Sequence, residues 1–395
     1  MPAVAGGERM FTILKGGTVF APDHIGQQDV LIAGQIIARI APVIEPMPAY
    51  GETRVLDVTG RRIVPGFVDQ HVHLLGGGGE GGYATRTPEV ALSDIVLAGT
   101  TTVVGCLGTD GITRSMSGLL AKARSLEQEG ISTFIYTGAY EVPPPTITGS
   151  VRSDLVLIDK VIGCGEIAIS DHRSSQPSRA ELARLAAEVR VGGLLSGKAG
   201  VLHLHVGTGA RRLTMIFDIL GETEIPVSQF VPTHINRNWE LVNAGIGLTR
   251  LGGVIDFTAT EPGQPDSLTA TQAILHCLAQ GVAIDCMTIS SDGQGSLPVF
   301  DGQGNMSGLK VAGMSGLHSE VKNMAACGLA LSEALRPVTV NPARILKLYP
   351  EKGTLQPGSD ADIVILDDNL DIEHVFAKGR QLVRQGQVVA KGTFA

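Results

Sequence analysis

The chain has 395 residues, 43% of them hydrophobic and 18% charged, with a formal net charge of −8 at pH 7. That composition excludes a disordered polypeptide, and an acidic balance without a basic block argues against nucleic acid as a partner. No apolar run approaches the length that crosses a bilayer, and positions 1–9 lack the apolar core of a secretory leader. A cytoplasmic protein with no membrane partner is therefore expected. The five cysteines, Cys106, Cys164, Cys277, Cys286 and Cys327, contain no Cys-x-x-Cys pair. Such an odd set points to reduced thiols, not to a disulfide framework or a structural zinc knuckle.

Residues 11–20 and 29–40 read as short strands, with Gly34 at a reversal, and 54–62 reads as another. Ile63 then leads through Val64-Pro65-Gly66-Phe67-Val68-Asp69-Gln70 into His71-Val72-His73. In a strand, period-two alternation puts both imidazoles on one face. Two neutral imidazoles on one rigid edge are half of a transition-metal site, with zinc the first choice. An isolated pair of this kind is usually two histidines on a wet strand face, so the rest of the chain has to decide.

Apolar runs then alternate with helical patterns, at 101–107, 133–136, 167–169, 201–206, 230–231, 254–257 and 287–289. Between two of them, Ser178-Arg179-Ala180-Glu181 is a capping box, followed by the stripe Leu182, Leu185, Ala186 and Val189. Counted from Ile63, eight strand candidates alternate with helices, which predicts a closed (β/α)8 TIM-like barrel of class α/β. The competing open, doubly wound sheet finds no support from a dinucleotide turn with its acidic partner. Residues 362–366, 381–383 and 388–390 return to short strands. A chain that begins and ends in β-segments can pair those ends into a small discontinuous β-sandwich, expected from residues 1–64 and 351–395 around a barrel at 65–350.

Three more ligand-type residues fall where barrel strands should end. His205 closes the run from Val201, His234 follows Val231-Pro232-Thr233, and Asp292 follows Ile289-Ser290-Ser291. In a barrel of this kind the chemistry gathers at the C-terminal strand ends. His203 shares a face with His205 but lies deeper, at a core position or just behind the ligands. Each residue alone reads as a satisfied core histidine or a loop aspartate. Their common placement on one rim is what argues for a site.

The stretch Pro65-Gly66-Phe67-Val68-Asp69-Gln70-His71-Val72-His73 resembles the first-strand signature of the amidohydrolase superfamily, and 353–364 is similar to the return strand of its β-sandwich. Within that superfamily the chain resembles the isoaspartyl (β-aspartyl) dipeptidase family, essentially end to end. The stretches that carry this are 76–80, 86–92, 104–110, 137–140, 146–150, 170–174 and 232–238. The resemblance implies metal-dependent hydrolysis of the isopeptide bond in small β-aspartyl dipeptides, with two Zn2+ per chain sharing a hydroxide. His71, His73 and Asp292 would hold one ion, and His205 and His234 the other. The lysine that carries a bridging carbamate in the family is absent. Glu166 stands at its spacing before Ser170-Asp171-His172-Arg173, and Lys160 lies several residues upstream. A glutamate offers the same bidentate oxygens, so Glu166 is expected to bridge. Being shorter, it requires the strand or the ions to shift. The alternative is a solvent-facing glutamate beside a one-metal site.

The resemblance further implies Asp292 as proton shuttle and Tyr140 as donor to the scissile carbonyl oxygen. Glu80 would take the substrate ammonium, and Arg173 and Arg237 the far carboxylate. Thr109, Ser296 and a backbone amide near Gly78 would take the aspartyl α-carboxylate, and the Gly-rich stretch 293–316 would form a mobile lid. A homo-oligomer is implied, with an octamer among the candidate assemblies. A cyclic-amide or N-acyl-amino-acid hydrolase of the same superfamily is the nearest alternative, and Glu80 separates the two because a cyclic amide offers it no ammonium. A non-catalytic oligomeric scaffold would predict missing ligands, yet the only departure here replaces one acid by another.

Overall fold

The computed structural model describes residues 11–46, 51–259, 268–300, 306–390 and 392–393. The chain opens with β1 (Phe11–Phe20), β2 (His24–Ala33), β3 (Ile36–Ala41), β4 (Thr53–Asp57) and β5 (Arg62–Pro65). Eight strands alternating with helices follow: β6 (Phe67–Val72), β7 (Thr100–Gly105), β8 (Ser132–Thr137), β9 (Val161–Ile169), β10 (Val201–Val206), β11 (Phe230–Thr233), β12 (Ile255–Thr258) and β13 (Met287–Ser290). A hairpin of β14 (Ser296–Phe300) and β15 (Met306–Val311) comes next. The chain closes with β16 (Ile363–Leu366), β17 (Ile372–Ala377), β18 (Arg380–Arg384) and β19 (Gln387–Val388).

Both ends of the chain build one nine-stranded sheet, ordered β19-β18-β17-β16-β5-β1-β2-β3 with β4 also against β1. The two ends meet where β5 runs antiparallel to β16, with Val64 opposite Val364. Leu14, Val19, Ile32, Ile37, Ile63, Ile363, Ile365 and Phe376 form the core of this sheet. The single strand expected over 54–62 is two strands. The ten-residue β1 carries a bulge between Leu14 and Gly17 and takes two short parallel partners in succession, Leu14 facing Leu56 and Val19 facing Ile63. Between those partners the Arg61 amide bonds the Val58 carbonyl and turns the chain.

Gly66 alone separates the sheet from the barrel. A Cβ there would sit 2.2 Å from the Thr101 hydroxyl, so a side chain cannot occupy the crossing. Strands β6 to β11 then form a parallel sheet in chain order, β12 pairs with β13, and a parallel bridge from Val72 to Gly293 closes the ring. Side chains stitch the two seams. Asp256, fully buried on β12, accepts from Thr233 Oγ1 and Ser290 Oγ at 2.6 Å each, Thr288 Oγ1 at 2.6 Å and Gln70 Nε2 at 2.7 Å. Four donors from three other strands replace the water this carboxylate gives up on burial. Across the same seam Asp69 accepts from the Ser291 amide at 3.1 Å.

The outer helices follow the expected stripe. The helix Arg179–Ser196 opens with the Ser178–Glu181 capping box and buries Leu182, Leu185, Ala186 and Val189. Each such leucine stabilises by about 1.5–3 kcal/mol through burial. The stretch expected as a lid holds the β14–β15 hairpin, with Leu297 opposite Lys310 and Val299 opposite Gly308. Residues 301–305 of that stretch lie outside the described residues. Among the described residues no helix is long and apolar enough to cross a membrane.

Candidate metal centre and substrate pocket

His71 and His73 reach the barrel mouth from β6 by period two, their ring centroids 5.3 Å apart. Glu166 Oε1 lies 3.4 Å from both Nε2 atoms. Asp292 Oδ1 lies 3.0 Å from His73 Nε2 and 3.5 Å from His71 Nε2. The other Glu166 oxygen turns away from this group. Oε2 is 3.1 Å from His205 Nδ1 and 3.6 Å from His234 Nε2. One carboxylate therefore faces two clusters of candidate ligands, and all six residues singled out for metal come together.

The backbone of β9 delivers Glu166. Cys164 pairs with Leu202 and Ile167 with Leu204, so Gly165 and Glu166 stand opposite the single residue His203. This two-against-one register is a β-bulge, which re-aims a side chain. The bulge requires glycine at 165, because a Cβ there would lie 2.6 Å from the His203 carbonyl oxygen. The Gly165–Glu166 peptide is cis. His234 and Asp292 sit in left-handed backbone, with φ of 63° and 53°. For non-glycine residues such conformations cost on the order of 1–3 kcal/mol and cluster at functional sites.

The charges interlock. Burial opposes protonation of His71, but the charges of Cys106 and Glu166 outweigh it and push the ring well above the ordinary imidazole range. For His73 the same opposition is overcome by Cys106 and Asp292. Glu166 and Asp292 are correspondingly held well below the carboxylate range, against burial, by the surrounding imidazoles. His234 goes the other way, lowered to about 3 by burial and by Arg237, so it stands neutral and ready to donate a lone pair. Burial, with help from the His71 charge, also holds His203 well below the imidazole range.

These residues fit divalent metal. Ligand atoms of His71, His73, Cys106 and Glu166 lie within 4.8 Å of one another, as do those of Glu166, His205 and His234. His71 Nε2 is buried with no hydrogen-bond partner among the described residues. Imidazole nitrogens and carboxylate oxygens in this ratio suit a borderline cation such as zinc. Cys106 was expected as a reduced thiol within a family-like stretch and given no role at the site, although it follows β7 at the same rim. Its Sγ is 3.9 Å from His73 Nδ1. Asp171 was also missed, despite lying in a quoted motif. Its Oδ2 is 2.9 Å from His205 Nε2 and accepts from Arg173 Nη2 at 2.8 Å.

The expected substrate residues surround this centre. Tyr140 is buried with its Oη 2.8 Å from His205 Nδ1, and the Arg173 guanidinium lies 5.5 Å over its ring. Glu80 Oε1 accepts from Thr109 Oγ1 at 2.7 Å and from Arg173 Nη1 at 3.2 Å. Gly78, with φ of 66°, packs so tightly that a Cβ would lie 2.8 Å from that of Ser296. Arg237 follows His234 in a short 3-10 turn, and its Nε is buried without a partner among the described residues. Sequence reasoning missed Arg114, which is buried and donates to three carbonyls of the glycine loop. These are Leu75 at 3.0 Å, Gly77 at 2.7 Å and Gly78 at 3.1 Å. Most of its bonds go to backbone, which no spacing of side chains signals, although Arg114 Nη1 also lies 3.4 Å from Asp110 Oδ2, four residues earlier.

Residues 267–388 match the Amidohydrolase family. The β-aspartyl dipeptidase of Fervidobacterium islandicum AW-1, solved in complex with a β-Asp-Leu dipeptide, is 47% identical with a TM-score of 0.89, over 96% of this chain and 98% of that one. The chain belongs to the β-aspartyl dipeptidase family. Like other folds of amidohydrolase type, this β-aspartyl dipeptidase homologue has more distant likenesses. The dihydroorotase of Pelotomaculum thermopropionicum is 27% identical over 436 residues, 96% of this chain and 95% of its own. The dihydropyrimidinase of Brevibacillus agri shares the fold, with a TM-score of 0.68 at 17% identity over 97% of each chain.

Proposed function

We propose that this protein hydrolyses the isopeptide bond of β-aspartyl dipeptides around two divalent cations. His71, His73 and Asp292 would hold one, His205 and His234 the other, and Glu166 would span both. The Glu166 carboxylate carries the proposal, because its two oxygens face the two clusters separately. Cations held there supply the Lewis acidity that acidifies water and polarises a carbonyl, and zinc is the ion these donors favour.

The chain's own residues do the rest. Asp292 accepts the proton of the attacking water and returns it to the leaving amine, its side chain being 16% exposed and so open to the pocket. Burial and the nearby Glu166 charge push the Tyr140 phenol well above its ordinary range, so it stays protonated. It then donates to the carbonyl oxygen as negative charge grows there. Glu80 takes the α-ammonium, Arg173 and Arg237 take the C-terminal carboxylate, and Thr109, Ser296 and the backbone near Gly78 take the aspartyl α-carboxylate. Glu80 and Arg173 are already paired at 3.2 Å. A substrate that brings both an ammonium and a carboxylate exchanges that pair for two new ones and strands neither charge. A cyclic amide brings no ammonium to take the place of Arg173 on Glu80, which weighs against a ring-opening hydrolase. A cytoplasmic homo-oligomer completes the proposal. Leu157, Leu194 and Leu195 support the assembly, standing 72%, 62% and 68% exposed on neighbouring helices.

The test is hydrolysis of β-Asp-Leu against α-Asp-Leu and a cyclic amide by the metal-loaded protein. Cleavage of the β-linked peptide alone is expected. Turnover of the cyclic amide with none of β-Asp-Leu would overturn the assignment.

A further inference from the structure

His203 is fully buried on β10, two residues before His205, and the chemistry above makes no use of it. Its Nε2 lies 2.9 Å from His71 Nδ1. The two rings meet edge to face, with centroids 4.9 Å apart and planes at 76°. Tyr136 stacks on His203 at 4.9 Å and 19°, which fixes its plane. The Gly165 backbone closes the remaining side, since a Cβ at 165 would lie 2.8 Å from that of His203. The residue is thus clamped between Tyr136 and the bulge that delivers Glu166.

The direction of the His71–His203 hydrogen bond follows from the role of His71. A histidine that ligates through Nε2 carries its hydrogen on Nδ1 and donates it to a partner behind, which sets ring orientation and tautomer. His71 Nε2 faces the Glu166 and Asp292 oxygens, and its Nδ1 faces His203 Nε2. His203 must therefore accept, which places its own hydrogen on Nδ1. That atom is buried and has no hydrogen-bond partner among the described residues. An unpaired buried N–H is destabilising, a burden that a purely space-filling residue at this position would avoid. The usual partner behind a ligating histidine is a carboxylate, a carbonyl or water. An imidazole here gives His71 an acceptor without adding a further carboxylate beside Glu166 and Asp292.

We propose that His203 is a positioning residue, a neutral acceptor that holds His71 in the tautomer and orientation with which it meets the metal. This rests on the reading of His71 as a ligand. The test compares two substitutions in the full-length protein, with Zn2+ affinity measured by competition against a chromophoric chelator. Visible absorption of the Co2+-loaded protein serves as a second readout. H203F keeps an aromatic ring against Tyr136 but offers no acceptor, whereas H203Q offers an acceptor without the ring. Affinity for one of the bound ions should fall about 10- to 100-fold in H203F, with an altered Co2+ spectrum, and H203Q should recover most of it. If H203F does not fold, H203L takes its place. Wild-type affinity in H203F, or an equal loss in H203Q, would overturn the proposal and leave His203 a packing residue. H71A serves as the control. Unchanged metal content in H71A would overturn the ligand reading and the proposal with it, whereas loss in H71A with none in H203F overturns the proposal alone.

Discussion

Two buried charge clusters in this molecule are built on opposite plans. Beside the terminal sheet, Lys352 donates to Ser132 Oγ at 2.6 Å, Asp360 Oδ2 at 2.6 Å and Asp362 Oδ2 at 2.7 Å. The second Asp362 oxygen accepts from the Lys378 amide at 2.7 Å. An ammonium has three hydrogens to give, and all three are used. At the barrel mouth, by contrast, polar atoms exceed their partners. His71 Nε2, His203 Nδ1 and Asp69 Oδ2 are buried without hydrogen bonds among the described residues. His234 and Asp292 hold left-handed backbone. The first cluster is complete in itself and locks the last β-segments to β8 of the barrel. The second leaves polar atoms unpaired, among them the candidate ligand atom His71 Nε2, and satisfied surroundings are what let a fold tolerate such a centre.

That contrast predicts how each cluster breaks. The largest effect should come from Glu166→Ala. Removing the acid that faces both clusters should lower metal content and reduce kcat/KM on the order of 10³-fold or more, since Lewis-acid stabilisation is worth several kcal/mol. Two-ion occupancy in that variant, read by elemental analysis, would take Glu166 out of the centre. Tyr140→Phe should lower kcat about 10²- to 10³-fold while metal content stays the same, the loss expected for one donor to a developing oxyanion. An unchanged kcat would make Tyr140 structural. Glu80→Gln should act on binding, raising KM for β-Asp-Leu about 10- to 100-fold through one lost charge-assisted contact. Steady-state kinetics separate this from a fall in kcat, which would place Glu80 in the chemistry instead.

Lys352→Met should leave the metal-loaded kinetics unchanged and reduce unfolding free energy by about 3–5 kcal/mol, because it strands two carboxylates. Denaturant titration reads that loss. Burial opposes the Lys352 charge, but Asp362 and Asp360 outweigh it and raise the ammonium above the ordinary lysine range. A raised basic group contributes fully below its unfolded value and loses that contribution as pH climbs through the folded one. The deficit of the variant should therefore be level from about pH 6 to 9 and shrink only in stronger alkali. A deficit that instead vanished near neutrality would show that the ion triad does not hold the sheet to the barrel.

Much of this was legible from residues alone, for physical reasons that differ by region. The strands of the barrel announce themselves as short apolar runs because both of their faces are buried. Ligand-type residues at the ends of those runs had one place to go. Glu166 was found by its spacing before Ser170-Asp171-His172-Arg173, but the bulge that carries it was not. Only 167–169 was expected as strand, whereas β9 begins at Val161. Pairing with β10 decides that register, and pairing is not local. The turn at 58–61 was missed for the same reason, since the division of 54–62 depends on how β1 receives two partners. Cys106 acts through a neighbouring ring and Arg114 mainly through backbone carbonyls, and neither kind of contact leaves a pattern in the residue order.

The most direct test of the central claim is a count of bound ions in metal-free protein reloaded with Zn2+ in bicarbonate-free buffer, followed by the β-Asp-Leu assay. A glutamate bridge predicts about two ions per chain and full turnover that added bicarbonate does not change. About one ion per chain, or turnover that waits on bicarbonate as a lysine carbamate would, contradicts the bridge and the mechanism built on it.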